Sequence, residues 1–63
     1  MAQTERVLAH LQRRGYITPL VARNYGIERL TSRIYDLRKQ GHTITAEYKR
    51  DDAGRRYTEY RLG

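Results

Sequence analysis

The hydrophobic period of this chain changes at Gly41. Before it, Ile27, Leu30, Ile34 and Leu37 recur at intervals of three, four and three, which is one face of an α-helix. After it, Ile44, Ala46 and Tyr48 alternate with Thr43, Thr45, Glu47 and Lys49, the period of a strand covered on one side. A chain of 63 residues that makes this switch has room for a few helices and one small sheet.

The rest of the chain supplies the remaining elements. Val7, Leu8 and Leu11 form an apolar stripe that predicts a helix over about Thr4 to Arg14, with Thr4 as its N-cap, Gly15 as its left-handed stop and His10 on its surface. Tyr16 and Ile17 read as a short extended link. Thr18 before Pro19 marks a sharp helix start, because the hydroxyl caps free amides and proline has no amide to leave unpaired. This second helix runs to about Asn24, and Asn24, Tyr25 and Gly26 make a tight turn. The third helix is expected from Ile27 to Gln40. Asp51 to Gly54 then form the turn of a β-hairpin whose return strand, Arg55 to Leu62, puts Thr58, Tyr60 and Leu62 on one face and Tyr57, Glu59 and Arg61 on the other. Of the six tyrosines, Tyr16, Tyr48 and Tyr60 are expected in or at the edge of the core, and Tyr25, Tyr35 and Tyr57 outside it. With no repeat, low-complexity tract or linker, residues 1–63 read as a single domain.

Cysteine is absent, which excludes disulfides, thiolate zinc sites and a thiol nucleophile and suits a reducing cytoplasm. Glu5, Arg6, His10 and Arg13 interrupt the N-terminal segment, so it does not read as a signal peptide. The expected location is the cytoplasm. Lys and Arg number 13 against seven Asp and Glu, a formal charge of +6, and eleven of the 13 are arginine. That balance favours a polyanion, and arginine's planar fork suits phosphates and guanine edges.

Helix, short extended piece, helix, glycine turn, longer helix and hairpin is the order of a winged helix-turn-helix, the hairpin being the wing. The stretch ITPLVARNYGIERLTSRIYDLRKQGHTI resembles small helix-turn-helix domains encoded by phages and prophages, in its Thr-Pro start, Gly-Ile turn and Arg-Ile-x-Asp-Leu-Arg third helix. The resemblance covers about residues 4 to 48; the wing adds little to it. It implies an α+β fold, a three-helix winged helix-turn-helix with a C-terminal β-hairpin wing, and binding of double-stranded DNA as a phage- or prophage-type transcriptional regulator or accessory factor.

A third helix of about fourteen residues is roughly 21 Å long and can lie in a major groove about 12 Å wide. Arg29, Ser32 and Arg33, in its N-terminal half, are the candidates for base edges, with Thr31, Tyr35 and Lys39 beside them. Glu28 and Asp36 share that face; Asp36 can pair with Arg29, Arg33 or Lys39, and Glu28 can accept from cytosine. Lys49, Arg50, Arg55 and Arg56 crowd the wing tip, where they suit a phosphate backbone and equally guard an open strand edge. Thr18 opens a helix N-terminus that can hold a phosphate or simply be capped. An enzyme is not expected: His10 and His42 lie far apart in sequence, no acidic pair forms a constellation, and neither a metal nor a cofactor is implied. The alternatives are a module or inhibitor that uses the same scaffold to bind a host or phage protein, and an RNA binder. One small domain reads few base pairs, so a homodimer or larger complex is expected.

Overall fold

The computed structural model describes residues 3–63. The start of the expected domain, 1–2, lies outside the described residues. Three helices, α1 (Gln3–Arg14), α2 (Pro19–Asn24) and α3 (Leu30–Lys39), accompany three strands, β1 (Tyr16–Ile17), β2 (Ile44–Arg50) and β3 (Arg56–Leu62). The strands form one antiparallel sheet in the order β1-β3-β2. Tyr16 and Ile17 are therefore more than a link: they pair with Arg61 and Tyr60 and make β3 the central strand.

The core lies between the helices and the base of the sheet. Val7 and Leu11 come from α1, Ile17 from β1, Ala22 from α2, Leu30, Ile34 and Leu37 from α3, and Ile44 and Tyr60 from the hairpin. Full burial of each larger aliphatic side chain stabilises the fold by about 2 kcal/mol. The apolar periods set these contacts, because residues three and four apart on α3 face the same way.

Local chemistry sets the boundaries. Gly15, at φ +84, ends α1 and donates its amide to the Leu11 carbonyl at 2.7 Å. Thr18 caps α2 by accepting a hydrogen bond from the Val21 amide at 3.3 Å, as its Thr-Pro signature implies. Thr4 does not cap α1, which already includes Gln3; its hydroxyl points across to Asp36 Oδ2 at 3.4 Å.

The third helix starts three residues later than its apolar period suggested. Ile27, Glu28 and Arg29 are not helical, and Arg29 occupies the left-handed region at φ +54, ψ +54 as the residue before α3. The Ile27 amide is taken by the Ala22 carbonyl at 2.8 Å, which closes the turn after α2, and the Ile27 side chain enters the core from that turn. Its apolar spacing reports burial and not helicity. At ten residues α3 is about 15 Å long.

The sheet corrects three further expectations. Asp51 pairs with Arg55, and the Gly54 amide donates to the Asp51 carbonyl at 3.0 Å with Gly54 at φ +79, a three-residue loop that ends in a left-handed glycine. Beyond its base the hairpin overhangs the helices, so Tyr48, expected in or near the core, is 85% exposed; Tyr16, beside Arg61 on the reverse face of the sheet, is exposed too. Tyr60, opposite Ala46 and over α3, is only 9% exposed. On the other face Glu59 is covered, and Tyr57 is half-buried where exposure was expected.

Candidate nucleic-acid interface

The outward face of α3 presents Ser32, Tyr35 and Lys39, all exposed, opposite the buried Leu30, Ile34 and Leu37. Lys39 Nζ lies 5.4 Å from the centre of the Tyr35 ring, a cation-π contact that holds both side chains on one patch. Thr31 is exposed on the flank towards the sheet, its hydroxyl 3.4 Å from that of Tyr60. Arg29 stands exposed at the N-terminal end, and its carbonyl accepts the Arg33 amide at 3.2 Å.

Arg33 is placed differently. It is half-buried, its Nη2 lies 3.4 Å from Asp36 Oδ2, and its Nε is buried without a partner among the described residues. Of the cations expected near Asp36, this is the one that the structure pairs with it. The same carboxylate oxygen receives the Thr4 hydroxyl, so Arg33 and Asp36 lie along the seam between α3 and α1.

Strand alternation sorts the wing charges between two faces. Arg50 and Arg56 are directly opposite each other and share the side of the sheet that carries Ile44, Tyr48, Thr58 and Tyr60, the side on which α3 packs. Next to the hydrogen-bonded Asp51–Arg55 pair, they form a non-hydrogen-bonded pair with Cα atoms about 4.5 Å apart. Like charges in that position repel unless an anion lies between or beside them. Arg55 is exposed in the loop, which Asp51 braces by accepting the Ala53 and Arg55 amides at 3.0 and 2.8 Å.

Lys49 belongs to the reverse face. There it lies 3.3 Å from Glu59 and 3.8 Å from Glu47, while Arg61 Nε lies 2.7 Å from Glu59 and 3.4 Å from Glu47. Two cations and two carboxylates cancel, so the formal +6 of the chain resides elsewhere. This lattice also explains how Glu59 comes to be only 7% exposed. Thr18, half-buried, spends its hydroxyl on the cap of α2.

The helix-turn-helix is braced from α1. Arg6 Nη2 donates to the Tyr25 carbonyl at 2.9 Å, and Gln3 Oε1 accepts the Glu28 amide at 3.2 Å. His10, expected on the surface, is 7% exposed because its ring meets the Tyr25 ring edge-on at 5.3 Å. The spacing Val7, His10, Leu11 could have shown this, since all three share one helical stripe. Burial, reinforced by the nearby Arg13 and Arg14 charges, lowers the His10 pKa below its ordinary value, against an opposing hydrogen bond with the Tyr16 backbone. Tyr48 was missed as a candidate contact because alternation alone marked it as inward-facing.

No helix among the described residues is long and apolar enough to cross a membrane. No curated protein and no solved structure matches the chain significantly. The family model described as a winged helix-turn-helix domain matches residues 2–63, practically the length of the chain, and the fold has the three helices and antiparallel hairpin which that name requires. The protein belongs to the winged helix-turn-helix domain family.

Proposed function

We propose that this protein binds double-stranded DNA, with α3 in the major groove and the wing on the flanking backbone, as a phage- or prophage-type transcriptional regulator or accessory DNA-binding factor. Membership of the family points to DNA binding in general terms and to a non-enzymatic module. The observation that carries the finer reading is the sorting of charge. Arg50 and Arg56 are exposed on the face of the sheet against which α3 packs and pair with no carboxylate among the described residues, whereas the reverse face neutralises itself through Glu47, Lys49, Glu59 and Arg61.

In this reading Arg29 and Ser32 approach base edges, with Tyr35 and Thr31 beside them, and Lys39, Arg50, Arg55 and Arg56 contact phosphates. Arg33 and Lys49 act mainly by holding Asp36 and Glu59. Thr18 sets the start of α2 against the backbone. A cytoplasmic site of action on the bacterial nucleoid and a homodimer or larger complex accompany the proposal, since a ten-residue recognition helix reads few base pairs.

The test is a fluorescence-anisotropy titration of mixed-sequence duplex DNA over a range of salt concentrations. Affinity should fall steeply with salt, by about 0.9 in log–log slope per phosphate contacted. Folded protein that fails to bind duplex DNA at low salt would sink the proposal.

A further inference from the structure

A second surface lies beside the wing, away from the outward face of α3. β1 stops at Ile17, opposite Tyr60, while β3 begins at Arg56, so from Arg56 to Glu59 the central strand has no neighbouring strand on that side among the described residues. The ladder to β2 uses the backbone groups of Tyr57, Glu59 and Arg61, as the Asp51–Arg55 and Thr43–Gly63 bonds at its ends require. The N–H and C=O groups of Arg56 and Thr58 therefore point the other way, into a groove of about 1010 Å³ between this edge and α2.

The groove has an apolar wall and a basic rim. Leu20 of α2 is 64% exposed here, with Tyr16, Val21 and Tyr57 also lining it. Arg23, Arg55 and Arg56 stand at its margin and form no ion pair among the described residues. Its two carboxylates are already engaged, Glu59 by Lys49 and Arg61 and Asp51 by the loop amides.

We propose that this groove receives an extended acidic segment of a partner protein, which adds as a strand to the free edge of β3. Alternating donors and acceptors at Arg56 and Thr58 match a peptide backbone, apolar side chains of the segment settle against Leu20 and Tyr57, and its carboxylates meet the three arginines. A DNA phosphate chain would use the arginines but neither the carbonyl groups nor the apolar wall, which favours the peptide.

The experiment titrates the ¹⁵N-labelled protein with a synthetic peptide of about six residues in which Asp or Glu alternates with Val, at up to about 1 mM. A lysine-for-acid version serves as control, and short duplex DNA as a separate arm. The Arg56 and Thr58 amide signals should shift with the acidic peptide and not with its lysine version, and their hydrogen exchange should slow by about tenfold or more with the acidic peptide and not with DNA. Thr58→Pro removes the free donor without touching the ladder to β2, and should abolish the effect at the Arg56 amide. Leu20→Ala, a surface change that leaves the fold in place and the charge unaltered, should weaken it about tenfold and keeps the test decisive should the proline variant not fold. Absence of those shifts, equal response to the lysine peptide, or protection of both amides by DNA alone would each overturn the proposal.

Discussion

Arg38 donates two hydrogen bonds to the carbonyl of Ile44, from Nε at 3.1 Å and from Nη2 at 2.7 Å. The contact joins the last turn of α3 to the first residue of β2 and covers a carbonyl at the outer edge of that strand, so it ties α3 to the base of the wing.

Replacing Arg38 should therefore loosen the fold. Arg38→Ala is expected to cost about 1 kcal/mol, which in a domain of this size lowers the melting temperature by about 4–8 °C. Arg38→Lys should recover only part of that, because an ammonium lacks the two parallel donors. Thermal unfolding followed by circular dichroism provides the check. An unchanged melting temperature for Arg38→Ala would show that the bifurcated contact carries no weight.

The two faces of the wing should separate in their response to mutation. Arg50→Ala with Arg56→Ala should reduce the salt slope of duplex binding by about 2, with little loss of stability or a slight gain from relieved repulsion. Lys49→Ala should lower stability by leaving Glu59 with fewer partners, while the slope stays within about 0.5 of the wild type. The reverse outcome, a slope that depends on Lys49 and not on Arg56, would place DNA on the other face of the sheet.

Tyr48 and Tyr60 lie on the same face of the hairpin and should behave oppositely. Tyr60 is buried over α3, and Tyr60→Ala should cost about 3 kcal/mol and leave so small a domain largely unfolded. Tyr48→Ala should leave the free energy of unfolding within about 0.5 kcal/mol of the wild type, yet weaken duplex binding, because the ring flanks the arginine pair. A destabilised Tyr48→Ala protein would refute the overhanging wing.

His10 should make stability depend on pH. Burial, then the charges of Arg13 and Arg14, lower its folded pKa below the ordinary 6.5. A proton on the buried Nδ1 finds no acceptor among the described residues. The unfolded chain therefore takes up this proton at higher pH than the folded one. The contribution is fully retained above the unfolded pKa and declines as pH falls through and below it, until the folded ring protonates as well. Melting temperatures measured from about pH 7.5 down to about pH 5 should fall for the wild type. They should fall less for His10→Phe, which keeps the ring against Tyr25 and has nothing to titrate; equal slopes would discard the assignment.

The elements of this domain are written in local sequence. Thr18 and Pro19 start α2 whatever surrounds them, the glycines at 15, 26 and 54 allow the left-handed turns, and the switch from helical to strand period at Gly41 separates α3 from the hairpin. These are short-range effects of sterics, capping and side-chain spacing, so neighbouring residues suffice to decide them. The three-helix, winged architecture and the basic character of the candidate interface follow from them.

Which side chains reach which face was decided by contacts between distant segments. Ile27 looked helical because burial has the same spacing in a turn as in a helix, and only its amide bond to Ala22 shows which it is. Tyr48 alternates like a core residue, but the helices cover just the base of the sheet, so it stands in solvent. His10 is buried by Tyr25, fifteen positions on in the chain. Arg33 and Lys49 were indistinguishable by sequence from the other arginines and lysine around them until Asp36 and Glu59 were brought beside them. Pairing of charges is a property of packed surfaces, and packing depends on how α1, the turn and the sheet meet in space.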